Sequence, residues 1–232
     1  MSKNKRGFSV IWFLMIAGIL MVSCLSAFSR ASAADTYQID RAHSSLGFAV
    51  RHLTVSTVNG EFTDYSGTIQ FDKADPSMFT AEVNIKTASI DTRQKQRDDH
   101  LRGADFFDAE KFPEISFKSK KLSPCSGALE KPRDPTAPMP GLADATNPQL
   151  FIGVFRLTGD LTMHGVTKEI SILLTIAGPV KGPMGGEVIG LSAETTINRQ
   201  DFGVSWNKAL DSGGYVVGDE VKISVNLEAH KK

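Results

Sequence analysis

The sequence predicts an all-β fold, an antiparallel barrel or sandwich carrying one short helix. Three observations predict it. Apolar and polar residues alternate with period two in one strand-like run after another. A helical period surfaces only around Thr92 to Arg102 and Ala104 to Ala109. Each run is apolar on one face only, whereas strands of a parallel sheet, covered on both faces, read as continuous apolar stretches.

The runs follow in order. Leu46, Phe48 and Val50 alternate with Ser45, Gly47 and Ala49, and Ile69 and Phe71 with Thr68 and Gln70. Phe79, Ala81, Val83 and Ile85 form one face of the next run. The helical stretch then intervenes and stops at Pro113, which lacks the N–H a helix needs. Ile115 and Phe117 open a strand, and Phe151 to Leu157 gives another. Ile170, Ile172, Leu174 and Ile176 share a face, as do Ile189, Leu191, Ala193, Thr195 and Ile197. In the last run Val221, Ile223, Val225, Leu227 and Ala229 alternate with Lys222, Ser224, Asn226 and Glu228. Asn59 to Thr63 and Thr158 to Thr162 resemble each other and each precedes a glycine and a β run, so two equivalent hairpins are expected.

Residues 1–33 are set apart. Lys3, Lys5 and Arg6 precede an uncharged run from Phe8 to Phe28, and Ala31-Ser32-Ala33 is a small-x-small cleavage pattern. This is the layout of a secretory signal peptide, so the protein is expected to be secreted or periplasmic. Two alternatives stay open: a retained leader acting as an anchor, since the run is long enough to span a bilayer, and lipidation at Cys24 within Met21-Val22-Ser23-Cys24. Residues 34–232 suffice for one β domain. They hold 22 basic and 26 acidic residues, a formal charge of −4, which argues against nucleic acid as a partner. Cys125 is their one cysteine, so neither an internal disulfide nor a zinc quartet can form. Six of the ten prolines fall in 123–150, which reads as a long surface loop inserted in the barrel domain.

Motifs of catalysis are missing: no G-x-S-x-G, no HExxH, no P-loop or dinucleotide fingerprint. The densest chemistry lies in Arg97-Asp98-Asp99-His100-Leu101-Arg102, followed by Phe106-Phe107-Asp108. One reading is a salt-bridged, solvated helix end. The other places Arg97 and His100 at a cavity mouth, facing a polar or anionic head group. The inward rows mix large rings (Phe48, Phe71, Phe79, Phe117) with small residues (Ala81, Gly153, Ala193), and only Trp206 among the tryptophans could plug the interior. A hollow barrel follows as an expectation.

A series of segments in order carries a resemblance. They are Ile39-Asp40-Arg41-Ala42-His43-Ser44, Phe48-Ala49-Val50-Arg51-His52, Gly60-Glu61-Phe62, Ser89-Ile90-Asp91-Thr92, Arg97-Asp98-Asp99-His100-Leu101, Phe106-Phe107-Asp108, Phe112-Pro113, Thr158 to Lys168 and Arg199-Gln200-Asp201-Phe202-Gly203. With them the chain resembles the YceI family of polyisoprenoid-binding periplasmic proteins over about residues 36–229. The resemblance implies an eight-stranded antiparallel lipocalin-like β-barrel with an elongated apolar cavity, a tube of about 30 Å if strands run to roughly ten residues. It implies a non-enzymatic protein that sequesters or carries a long-chain isoprenoid, a polyprenyl compound or an isoprenoid quinone. It implies no cofactor beyond that lipid and no catalytic or metal residues, and it leaves open transient membrane contact and a homodimer. His43, His52, Arg97, His100 and His164 match the family's patterned polar positions. With Phe48, Val50, Phe71 and Phe117 they make the candidate ligand-binding set. Two other functions stay open: an enzyme acting on a lipid head group through the His/Arg/Asp cluster, and a filled structural barrel.

Overall fold

Ten strands form one antiparallel sheet whose last strand returns to pair with the first. The computed structural model describes residues 34–125, 151–183, 185–211 and 213–232. The expected leader, and all of the Pro-rich insertion beyond Cys125, lie outside the described residues. The strands are β1 (Asp35–His52), β2 (Ser56–Phe62), β3 (Tyr65–Phe71), β4 (Thr80–Lys86), β5 (Ile90–Asp91), β6 (Glu114–Pro124), β7 (Phe151–Met163), β8 (Val166–Lys181), β9 (Glu187–Asn198) and β10 (Val217–Lys231), with helix α1 at Lys95–Arg102.

Ten strands occupy eight barrel positions. β1 is long enough to take two partners on one edge: its start pairs with β3 (Asp35↔Phe71) and its end with β2 (Leu46↔Phe62). β2 and β3 are therefore successive pieces of one staircase along β1, not the arms of a hairpin. That overturns the expected pair of equivalent hairpins, because Ser66-Gly67 sits inside β3 while His164-Gly165 is a true turn. In the latter both residues adopt positive φ (52° and 75°), the two-residue turn whose twist matches the flanking strands. β5 likewise continues the line of β4, but leaves β6 to pair with β2.

The helix is shorter than the sequence suggests. α1 ends at Gly103, and 104–109 is a series of turns, with Asp108 at φ 45° and its carbonyl accepting from Phe112 N–H. β6 runs further than expected: Ser123 and Pro124 stay in register with Arg156 and Phe155 of β7. Proline is tolerated there because it is the last residue of the strand.

Inward rows alternate as predicted, and they pack in two apolar layers. At the end away from α1, Tyr37, Phe71, Ile176 and Ile189 are fully buried, with Phe79, Leu122, Phe155 and Ala229 around them. At the α1 end, Ile115, Leu161, Met163, Ile197 and Phe202 form the second layer.

Burial, with help from the carboxylates of Glu187 and Asp35, raises the phenol pKa of Tyr37, and burial raises that of Tyr65. A folded phenol that holds its proton more tightly than the unfolded one loses stability as pH rises through and above the unfolded value of about 10. In an alkaline titration the phenolate absorbance of Tyr37 and Tyr65 should appear only together with loss of native circular dichroism. Full phenolate absorbance from all three tyrosines in a protein with native dichroism would contradict the packing of that layer.

Candidate functional site: an apolar cavity inside the barrel

Between the two layers the barrel is hollow. The cavity holds about 1100 Å³ of atom-free space, counting its opening to solvent. Every barrel position contributes to its wall, for example Phe48, Phe62, Val83, Phe117, Ile172 and Val225. Thr195 supplies the one hydroxyl among the lining side chains, and no charged residue is among them. Many of these inward residues remain half-exposed although they point into the barrel. Side chains that filled a core would be covered; here the middle row faces open space. Along β7 the wall runs from Leu157 to Met163, roughly 20 Å at about 3.3 Å per residue. The tube is thus shorter than the 30 Å expected, because Tyr37, Phe71 and their neighbours pack solidly across one end.

Glycines shape the lumen. Phe48 stands opposite Gly60 in the β1–β2 register. A Cβ at Gly60 would lie 2.4 Å from the tip of the Phe48 ring, and one at Gly159 would lie 2.5 Å from the tip of Phe117. Both rings lie over the bare backbone of a neighbouring strand, flat along the wall. With side chains at those positions the rings would have to swing into the cavity.

The candidate set divides. Phe48 and Phe117 line the cavity. Phe71 belongs to the closed layer and packs edge-on to Phe79, 6.5 Å between ring centres. Val50 is half-buried one turn of the pleat further along β1, between Val58 and Val221. The five polar residues do not converge. His43 lies on the outer wall, its Nδ1 2.7 Å from Asp40 Oδ2. That bond holds His43 above the ordinary imidazole range and Asp40 below the ordinary carboxylate range. His52 ends β1, where its carbonyl receives Val55 N–H and the Ser56 hydroxyl. His164 sits in the β7–β8 turn, its ring 4.6 Å from that of Phe112.

Arg97 and His100 share α1 and have different tasks. The Arg97 guanidinium donates to the hydroxyl (2.7 Å) and carbonyl (2.8 Å) of Thr92. Asp98 is buried and accepts from the backbone N–H (2.9 Å) and hydroxyl (2.5 Å) of the same threonine. The solvated, salt-bridged helix end is therefore corrected for Asp98, whose partners are the groups of a turn. Arg102 extends the tether, donating to Ala88 and Ile90 carbonyls at 2.7 Å. His100 stands edge-on to Phe106 and Trp206, 5.0 and 5.2 Å away, with Nε2 2.9 Å from Asp105.

Sequence reasoning missed Arg199. It is buried beside the 3-10 turn that follows β9, and burial lowers its pKa. Its guanidinium donates to the carbonyls of Val204 (2.6 Å), Trp206 (2.9 Å), Gly218 (2.9 Å) and Val217 (3.4 Å) and to Asp219 (3.0 Å). One planar fork thus ties Val204 and Trp206 to 217–219 at the α1 end of the barrel. An arginine beside a turn carries no local signal of such a role.

Closed antiparallel barrel, apolar lumen and a braced cover at one end define the lipocalin-like class, in which about eight strands leave room for one ligand. Within that class the chain belongs to the YceI family, whose YceI-like domain model matches residues 37–229. Among relatives, a UPF0312 protein of Staphylococcus aureus strain MSSA476 is 32% identical over 193 residues, 83% of this chain and 95% of that one. A Campylobacter jejuni YceI protein of known structure is 32% identical, with TM-score 0.58 over 78% of this chain and 90% of its own. Burkholderia cenocepacia BcnA (24% identity, TM-score 0.62, 82% of this chain and 98% of its own) shares the fold. So does a polyisoprenoid binding domain from Saccharophagus degradans (18%, 0.58, 87% of this chain and 100% of its own).

Gly159→Ala should force the Phe117 ring off the wall, lowering unfolding free energy by about 1–3 kcal/mol and reducing uptake of an apolar probe in a fluorescence titration. Unchanged stability and unchanged uptake would show that the ring does not depend on the bare backbone. Arg199→Lys, which keeps the charge but loses the fork, should cost about 1–3 kcal/mol in denaturant unfolding, because the carbonyls under the fork lose their donors.

Proposed function

We propose that this protein is an exported, non-enzymatic carrier that holds a long-chain isoprenoid, a polyprenyl compound or an isoprenoid quinone, inside the barrel. One observation carries the reading: a hollow lumen with a single hydroxyl and no charge along its wall. Such a wall cannot orient a polar substrate or answer charge developing in a reaction. It can bury a chain, at roughly 0.8 kcal/mol per methylene. The polyisoprenoid binding domain among its structural relatives supports an isoprenoid over a straight-chain lipid. The basic, apolar and small-residue layout of residues 1–33 supports export.

Entry is assigned to the α1 end. The opposite end is closed by side chains of the strands themselves, fully buried. At the α1 end the sheet splits where β5 leaves β6, and the cover consists of α1, its following turns and the loop held by Arg199. The polar head of the lipid would rest there, near His100 and Trp206. The same end presents Leu53, Val55 (80% exposed) and Tyr215 (58% exposed), and Leu53 N–H donates to Val216 carbonyl at 2.9 Å, so the two apolar tips are joined. They suit brief contact with a membrane that donates or receives the chain.

The test is mass spectrometry of an organic extract from protein purified gently from its own host, with Ala193→Trp alongside. Ala193 lines the cavity, so a tryptophan there occupies lumen. A stoichiometric isoprenoid in the wild type, reduced at least tenfold in a folded Ala193→Trp variant, is expected. An empty extract together with no uptake of added polyprenol or quinone would overturn the reading.

A further inference from the structure

On the outer wall, away from the lumen, four side chains of two neighbouring strands gather at one point. The register sets Asp40 of β1 directly opposite Glu228 of β10. Like charges facing each other across an antiparallel pair destabilise it unless something positive stands between them. Elsewhere on the wall lysines do this: Lys118 pairs with Glu82, Lys120 with Asp160 and Glu169, Lys222 with Glu194. Among the described residues, neither Asp40 nor Glu228 pairs with a lysine or arginine. The nearby candidates are engaged elsewhere, Arg41 with Asp64 and Lys231 with Asp35 and Glu187. Two imidazoles face the carboxylates instead.

Both imidazoles meet the same two oxygens. His43 Nδ1 is 2.7 Å from Asp40 Oδ2 and 3.8 Å from Glu228 Oε1. His230 Nε2 is 3.0 Å from Glu228 Oε1 and 3.6 Å from Asp40 Oδ2. The donor atoms of Asp40, His43 and Glu228 all lie within 4.8 Å of one another. Ligand atoms about 2.0–2.1 Å from a tetrahedral ion stand roughly 3.3 Å apart, and the 2.7 and 3.8 Å separations of His43 Nδ1 from the two carboxylate oxygens fall on both sides of that spacing. The donor atoms of Asp40, His43 and Glu228 are close enough to meet one ion, and His230, bonded to the same carboxylates, stands behind them.

The backbone is arranged to make this cluster. Between Asp40↔Glu228 and Ser45↔Asn226, four residues of β1, Arg41 to Ser44, oppose Leu227 alone. The bulge turns on Asp40, whose Oδ1 accepts Ala42 N–H at 2.9 Å, and it returns through Ser44, whose hydroxyl accepts Glu228 N–H at 3.0 Å. A regular strand would carry His43 to the inward face; the bulge brings it back beside Asp40. His230 follows Glu228 by two residues and so shares its face. Bulges of this kind re-aim side chains at functional positions.

We propose that Asp40, His43 and Glu228 bind one borderline divalent transition ion, of the class of Zn²⁺, Cu²⁺ or Ni²⁺, across the seam that closes the barrel, with His230 orienting the Glu228 carboxylate. An imidazole with two carboxylates suits those ions, whereas Ca²⁺ and Mg²⁺ take oxygen ligands nearly throughout. The ion supplies the positive charge that the facing carboxylates need and ties β1 to β10. The site is separate from the lumen and does not depend on what the lumen holds.

The experiment is calorimetric titration of ZnCl₂ into the purified protein, made without a histidine tag, in a buffer containing excess Mg²⁺. Expected are one Zn²⁺ per chain, affinity about tenfold weaker or worse in His43→Ala and in His230→Ala, and unchanged affinity in His100→Ala. Zn²⁺ should also raise the melting temperature of the wild type and not that of His43→Ala, because an ion bound only by the folded seam stabilises it. Asp40→Asn, which keeps the side chain's shape, guards against a misfolded alanine variant and should bind weakly too. Absence of saturable Zn²⁺ binding in the wild type, or equal affinity in the wild type and these variants, would overturn the proposal.

Discussion

Everything in this molecule depends on the pairing of β1 with β10. A sheet left open there would expose two long edges of unpaired backbone and let water into the interior from the side. Closure needs one strand that can be first and last neighbour at once. β1 does this through length: it carries β3 and then β2 along one edge while β10 runs along the other. The larger of that seam's two irregularities is the bulge from Arg41 to Ser44. It interrupts the ladder without opening it, because the Ser44 hydroxyl takes over a backbone partner on β10.

A closed barrel does not by itself make a cavity. The lumen exists because large rings are held to the wall. Phe48 over Gly60 and Phe117 over Gly159 are cross-strand pairs in which the glycine's missing side chain becomes room for the ring. Where no such relief is provided, at Tyr37 and Phe71, the rings are fully buried and help close the barrel. The same composition of aromatic and small residues therefore yields a plug at one end and a tube in the middle.

The cover over the other end is built from polar groups buried for structural ends. Arg199 gathers four carbonyls and a carboxylate, Asp98 a backbone N–H and a hydroxyl, and Arg97 and Arg102 hold the backbone before α1. Buried groups this well satisfied give a loop-built cover a defined shape. They also explain why the charged stretch around Arg97 looks, by composition alone, like a site: arginines that brace turns and arginines that bind anions are the same residue type with different neighbours.

The sequence by itself determined the alternation, and with it the all-β class, the antiparallel pairing and the inward rows, because a period of two places side chains on faces whatever the strand's neighbours. The order of its motifs also determined the family, and inward positions such as Phe48 and Phe117 were legible as wall. Only the tertiary structure decided that β2 and β3 share one barrel position, since strand partnership is a long-range choice that alternation does not encode. It alone separated Phe71, in the plug, from Phe117, in the lumen, because that depends on whether a glycine lies on the strand next door. It dispersed His43, His52, His100 and His164 to four places, and put His43 beside Glu228, close to two hundred residues further on. Register between the first strand and the last is fixed by closure, and nothing local to either strand records it.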